Sequence, residues 1–358
     1  MDRGIRTPRR RPAAALLRAT WATAQIALVI CACAPSERKR PEKLTLYCTA
    51  HIEWCQLMTT EFERETGIQV SMIRKSTGEL YAQIWAERRN PKGDVWWAGV
   101  GDAHFQAAEM NLTAAYRSPL LEELHPWARD PMGRGEFRTT GVYLGILGIS
   151  YNTEWLAKKQ LPPPQSWQDL LKPIYRGEIQ IANPNSSGTA YTAMATIVQL
   201  FGEEAGFAYL RKLHRNINQY TRSGSAPTSA AARGETGIAI SFTHDAMTQK
   251  MAGFPLEIVV PREGTGFEIG CVSLIHGARH PEAAKKFLDW SLTARAQELG
   301  ARALAYQFPS NRNAAIPPEA LRIDRKQLID FDFQRFGSSA VRKHLLARWD
   351  AEVKTAPQ

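Results

Sequence analysis

After residue 40 the chain has no tract of lysine and arginine interleaved with aromatic residues, which argues against nucleic acid as a partner. Beyond the first 34 residues no apolar run approaches the ~20 residues that a bilayer span requires. No internal repeat and no low-complexity segment is present in that part, so repeat architectures are set aside. Cysteine is scarce. Cys31 and Cys33 fall in the leader, and the remaining Cys48, Cys55 and Cys271 include no CxxC pair to hold zinc. A GxSxG nucleophile elbow is also missing, which weighs against a serine hydrolase.

What is present begins with an export layout. Arg3, Arg6, Arg9, Arg10 and Arg11 precede an apolar stretch from Trp21 to Ala34, so residues 1–34 are expected to be a signal peptide and 35–43 a short charged tether. Ile30-Cys31-Ala32-Cys33 resembles a lipoprotein cleavage box with Cys33 as the lipidated residue, and ordinary cleavage after Ala32 stands beside it as the rival. Half of the formal net charge of +10 belongs to this leader, with its six arginines and one aspartate. The remaining +5 reads as ordinary surface charge and says little about the ligand. In an oxidising compartment Cys48 at a strand end and Cys55 on the next helix are placed to form a disulfide.

Residues 44–358 are too many for one ordinary core. Strand and helix signals alternate: Leu44 to Cys48, Ile68 to Ile73 and Asp94 to Ala98 read as strands, with helices over Ile52–Thr66, Glu79–Arg89 and Ala103–Met110 between and after them. This predicts an α/β fold with helices on the faces of a sheet. The glycine-spaced apolar segment Gly141 to Tyr151 reads as a crossing to a second lobe, and Pro261 to Gly270 as the return. The expected organisation is therefore 44–142 in lobe 1, 143–260 in lobe 2, and 261–358 returning to lobe 1 with C-terminal helices, leaving a cleft between the lobes.

In open α/β sheets ligands bind beyond the carboxyl ends of the strands. Five loops there are small and polar: Thr49-Ala50-His51, Lys75 to Gly78, Gly99 to Asp102, Asn185 to Thr189, and Thr243-His244-Asp245. The fourth follows the apolar run Ile179 to Ala182 and precedes a helix-like run, so its hydroxyls and glycine sit where unpaired N–H groups and the helix dipole attract an anion. Each loop also has a plain structural reading. Ser76-x-x-Glu79 is a capping box, Asp102 and Asn185 or Ser186 are helix caps, and His51 and His244 are satisfied polar residues at a domain edge. One helix terminus contributes only ~0.3–1 kcal/mol, whereas micromolar retention of a solute requires about 8 kcal/mol. Several loops must converge for a site to exist.

With these residues in hand, the chain resembles bacterial periplasmic solute-binding proteins of ABC importers, in the two-lobed type II branch that binds ferric iron, polyamines and phosphate esters. The resemblance covers nearly everything after residue 43 and rests on Leu44 to Cys48, Asp94 to Gly99, Asn185 to Thr189, Pro261 to Gly266 and His280 to Phe287. Iron-binding members place an adjacent tyrosine pair where this chain has Thr243-His244-Asp245, which puts iron in doubt. The resemblance to hexose-phosphate and phosphonate binders implies Ser76, Thr77, Ser186, Ser187, Gly188 and Thr189 on the anion, with His51, His244, Asp245 and Glu268 on the organic part. A polyamine would need aromatic walls and acids, for which Trp96, Trp97, Asp94 and Asp102 are the candidates. The expected partners are a small anionic solute and an inner-membrane permease, with no cofactor, no resident metal and a monomeric periplasmic protein. A secreted phosphate-ester hydrolase using Ser186 or Ser187 with His244 and Asp245 is the rival from another class. Adjacent His244 and Asp245 argue against it, because a triad acid must reach the far nitrogen of the imidazole.

Overall fold

The computed structural model describes Met1, Gly4 and residues 42–357. The signal peptide, almost all of the tether and the Cys33 lipidation expectation lie outside the described residues. Residues 42–358 form one compact unit.

Strand β1 (Lys43–Cys48) pairs in parallel with β2 (Gln69–Arg74) and β3 (Val95–Val100), giving the alternating architecture expected of an α/β chain. Helix α1 (Ile52–Thr66) buries Trp54, Cys55, Met58 and Phe62 against this sheet and stops where Gly67 adopts a left-handed conformation. Helix α2 (Thr77–Glu87) begins with a capping box, in which the Ser76 hydroxyl and backbone N–H both donate to Glu79 Oε2 at 2.7 and 3.2 Å. Strand β3 is buried along its whole length and runs into α3 (Gly101–Glu109).

The full sheet order is β2-β1-β3-β10-β5-β8-β6-β7. The remaining strands are β4 (Thr113–Ala114), β5 (Thr140–Asn152), β6 (Ile179–Ala182), β7 (Ile217–Thr221), β8 (Ile238–Phe242), β9 (Leu256–Val259), β10 (Phe267–Ile275) and β11 (Phe308–Pro309). β5 belongs to both halves. Its first part, Thr140 to Ile146, pairs antiparallel with β10, and its second, Leu147 to Asn152, pairs with β8 and β9. The longer helices beyond α3 are α4 (Gly188–Phe201), α5 (Glu203–His214), α6 (Ala226–Ala232), α7 (Thr243–Met251), α8 (Pro281–Leu292), α9 (Ala294–Arg302) and α10 (Ser339–Arg348).

Two large cores flank the shared strand. Leu44, Trp54, Phe62, Trp97, Phe287 and Leu292 belong to one; Leu147, Trp167, Tyr191, Phe207, Ile240 and Trp349 belong to the other. The C-terminal stretch departs from the expected return to lobe 1. Residues Ala283 to Ala305 do pack in the first core, but Phe331, Phe336, Leu345, Trp349 and Val353 pack in the second. An apolar helix face carries no address for one core over another, so its lobe could not be read from periodicity.

The Sγ atoms of Cys48 and Cys55 are bonded, tying the end of β1 to the first turns of α1. Closing so short a loop is worth about 2–3 kcal/mol in the chain-entropy account. Replacing both cysteines with alanine should lower the unfolding midpoint by a few degrees. A reducing agent should lower the wild-type midpoint by a similar amount and leave the double variant unchanged, with calorimetry as the measurement.

Candidate functional site

The loops after six strands meet in one cleft of about 530 Å³. β1 delivers Thr49, Ala50 and His51; β2 delivers Arg74, Ser76 and Thr77; β3 delivers Gly99 and Val100. From the other half come Ser187, Gly188 and Thr189 after β6, Ser223 to Ser225 after β7, and His244 and Asp245 after β8. Tyr143 on the shared strand, Glu268 paired beside it and Gln307 complete the lining. Nine of the ten residues expected at a ligand site are therefore brought together. Ser186 is the exception: its hydroxyl donates to the backbone carbonyls of Asn183 and Arg222, at 3.3 and 2.9 Å, and does not line the cleft.

The two walls differ in chemistry. One holds hydroxyls and glycines at the starts of α2 and α4, with Ser187 capping α4 by accepting from Ala190 N–H at 3.4 Å. Arg74 also lines the cleft, anchored next to His51 by Nε donating to Ala50 O at 3.0 Å, and its charge acts on His51 and Asp245. A second group holds His51, His244, Asp245 and Glu268. His51 Nε2 lies 2.7 Å from Asp245 Oδ1. His244 Nε2 lies 3.7 Å from Asp245 Oδ1 and 3.9 Å from Glu268 Oε1, while its Nδ1 is buried without a partner. The ring of His244 stacks on Phe242 at 5.4 Å and meets the edge of Tyr143 at 6.5 Å. Gly145 on β5 makes room for this group, because a Cβ there would lie 2.7 Å from His244 Cε1 and 2.8 Å from Glu268 Oε1.

A family described as bacterial extracellular solute-binding protein matches residues 94–335, more than half of the chain. The chain belongs to this family. The periplasmic binding protein AfuA of Actinobacillus pleuropneumoniae, solved with exogenous fructose 6-phosphate bound, is 43% identical with a TM-score of 0.86, over 88% of this chain and 100% of that one. An uncharacterized protein of Haemophilus influenzae is 42% identical over 316 residues, 88% of this chain and 91% of its own length. A putative 2-aminoethylphosphonate-binding periplasmic protein of Salmonella paratyphi A is 26% identical over 250 residues, 68% of this chain and 70% of its own. The mixed α/β architecture is that of the type II periplasmic binding proteins. As a solute-binding protein of this kind the chain is the extracytoplasmic binding component of an ABC importer. No helix among the described residues is long and apolar enough to cross a membrane.

Burial sets the protonation of this solute-binding protein's acidic wall. Desolvation lowers His244 to about 4, so its ring is neutral at physiological pH. Desolvation also raises Glu268 well above the usual carboxylate range, helped by the charges of Asp245 and Asp102, so it is a neutral hydrogen-bond donor as well as an acceptor. Asp245 goes the other way: burial alone would raise it, but His244 and the hydrogen bond from His51 hold it below its ordinary value. Burial likewise opposes a charge on His51, yet the hydrogen bond and charge of Asp245 raise it. Burial keeps Tyr143 a neutral phenol far above its ordinary value, and its hydroxyl accepts from Gly99 N–H at 3.1 Å.

Arg74, Tyr143, Gln307 and the Ser223-Gly224-Ser225 loop were not among the expected site residues. The serine-glycine loop had the same signal as the others, hydroxyls and a glycine after a strand. Its strand, β7, was missed because it sits at the sheet edge with little burial and no apolar alternation.

The raised Glu268 gives a pH-dependent prediction. A group whose folded pKa is raised contributes stability that is full below its unfolded value, about 4.3, and is lost as pH rises toward the folded value. Glu268→Gln cannot ionise and escapes that loss. Its unfolding midpoint should match wild type near pH 4 and exceed it increasingly by pH 8. A gap between the two midpoints that does not change with pH would contradict the buried neutral carboxyl.

Proposed function

We propose that the protein captures a small phosphorylated solute, a hexose phosphate in preference to an aminoalkylphosphonate, and delivers it to a permease in the inner membrane as a monomeric periplasmic protein. The observation that carries this is the make-up of the cleft lining: hydroxyls and glycines at two helix starts and the guanidinium of Arg74, together with a neutral carboxyl and a committed His–Asp pair. The first wall suits a phosphate group, since unpaired N–H donors at helix starts and a guanidinium both favour anions. Hydrogen bonds to a charged group contribute ~1.5–3 kcal/mol each, so four or five donors from both lobes reach the affinity that one helix start cannot.

The second wall favours sugar hydroxyls over an ammonium group. Asp245 is already paired with His51, and Glu268 is neutral, so the wall offers a cation no uncommitted negative charge. A polyamine finds still less. Trp96 stacks on His104 inside one cluster and Trp97 packs edge-on against Trp54 inside another. Asp94 is fully buried accepting from Thr45 N–H and His280, and Asp102 is paired with Arg342, so none of the four lines the cleft. Ferric iron prefers phenolates, and the single tyrosine among the lining residues is the neutral Tyr143. AfuA, at 43% identity, is described with fructose 6-phosphate bound, which agrees with this reading.

The protein is not read as an enzyme. Ser187 caps a helix and Ser186 bonds backbone carbonyls, so neither hydroxyl is joined to His244, and Asp245 bonds His51 in its place. Contacts from both lobes would instead favour closure around the solute, the form that a permease recognises.

The test is a thermal-shift screen over hexose phosphates, aminoalkylphosphonates, inorganic phosphate, ferric citrate and putrescine, followed by titration calorimetry. Hexose phosphates should raise the midpoint most, at one-to-one stoichiometry and without product. Arg74→Ala should weaken that binding by roughly 10- to 100-fold, about 1.5–3 kcal/mol. Stabilisation by ferric salts alone, or turnover of the ester, would sink the proposal.

A further inference from the structure

Outside the cleft, the two lobes meet along a seam between α3 and α10. α3 lies in the first half of the chain and packs beside β10 and β4, whereas α10 belongs to the second core through Leu345. The seam is joined at both ends. In the first turn of α3, Asp102 Oδ2 accepts from Arg342 Nη1, and both side chains are only 8% exposed. At the last turn of α3, Glu109 Oε2 accepts from Ser339 N–H at 2.8 Å. Arg342 is held from behind by the Tyr191 ring, 4.1 Å from the guanidinium carbon, and that ring is fixed by its hydroxyl donating to Phe336 O at 2.7 Å.

This seam lies directly behind the hydroxyl wall. A Cβ at Gly188, the first residue of α4, would lie 2.7 Å from Val100 Cγ2 and 3.7 Å from Asp102 Oδ1. A Cβ at Gly78 would lie 3.0 Å from the backbone oxygens of Asn185 and Ser186. The lobes thus approach closely beside the Asp102–Arg342 pair, Gly78 against backbone and Gly188 against the Val100 side chain, with no room for a side chain at either glycine.

We infer that Asp102 and Arg342 form an interlobe clamp that sets how far the closed form is favoured, making them positioning residues for solute capture that never touch the solute. A buried pair is costly to break by removing one partner, because the survivor is left as an uncompensated charge, and cheap to remove whole. Asp102 left alone can take up a proton, whereas a lone Arg342 stays charged and is relieved of that cost as the lobes separate and water reaches it. Asp102 Oδ1 is buried without a partner, so the pair is incompletely satisfied and its contribution to closure is limited. Closure that is limited in this way can be driven by ligand, since apparent affinity falls in proportion to the closed fraction. Burial raises Asp102 to about 6 against the pull of Arg342, which leaves it ionised at pH 7.5.

The inference does not rest on the identity of the solute. Asp102→Asn, Arg342→Met and the double variant are compared with wild type at pH 7.5 by small-angle scattering without solute, and by calorimetry with fructose 6-phosphate as the probe. Asp102→Asn, which strands a permanent charge, should show a larger radius of gyration than wild type and about tenfold weaker binding, and Arg342→Met a smaller change in both. The double variant should recover most of both, because neither charge is left unpaired, and unfolding midpoints that stay near wild type in the single variants separate loss of closure from destabilisation of a lobe. Scattering curves and affinities equal to wild type in both single variants, or losses that add in the double variant, overturn the clamp. If fructose 6-phosphate fails to bind wild type, the proposed solute is wrong, and the scattering arm alone decides the clamp by the same criteria.

Discussion

The site depends on one strand being shared between two half-sheets. The thirteen residues of β5 hydrogen-bond to β10 over their first half and to β8 and β9 over their second. Backbone pairing fixes register, and a register shift of one residue would move every side chain to the other face. Glu268 lies opposite Gly145 in that register, and α7 follows directly on β8, so His244 and Asp245 are placed against Glu268 by the same ladder. The glycine at 145 is what allows the imidazole and the carboxyl to stand over the backbone.

Crowding three titratable side chains into that space has an electrostatic consequence. Two neighbouring carboxylates cannot both stay ionised in a poorly solvated site unless each finds a counter-charge. Asp245 finds His51, and Glu268 finds none, so the charge goes to the first and the proton stays on the second. The pair thus presents a fixed acceptor and a donor, the combination that recognises hydroxyl groups.

Much of this was legible beforehand because it follows from local chemistry. Strand-ending loops rich in hydroxyls and glycine mark ligand positions in an open α/β sheet whatever the ligand, and nine of ten named residues line one cleft. The failures are of a different kind. Ser186 looked equivalent to Ser187, but its hydroxyl is spent on the backbone carbonyls of Asn183 and Arg222, a tertiary contact that no local pattern announces. Trp96 and Trp97 looked like a wall for a cation. On a strand buried on both faces, successive residues enter opposite cores, and both indoles do so. Arg74, the last residue of β2, was not singled out in the sequence. Only the convergence of six loops, a tertiary fact, makes it part of the cleft.

The same distinction separates a residue inventory of this cleft from its chemistry. Counted by type, the cleft and its surroundings contain enough acids for a polyamine and a tyrosine for iron. Counted by state, Glu268 is neutral, Tyr143 keeps its proton, Asp94 and Asp102 are spent on partners elsewhere, and Asp245 is spent on His51. On the proposed function, selectivity for an uncharged organic part would follow from desolvation more than from which side chains are present. A solute with an ammonium group would have to break the His51–Asp245 pair or deprotonate a buried carboxyl, and either costs more than a hydroxyl pays for hydrogen bonds already oriented toward it.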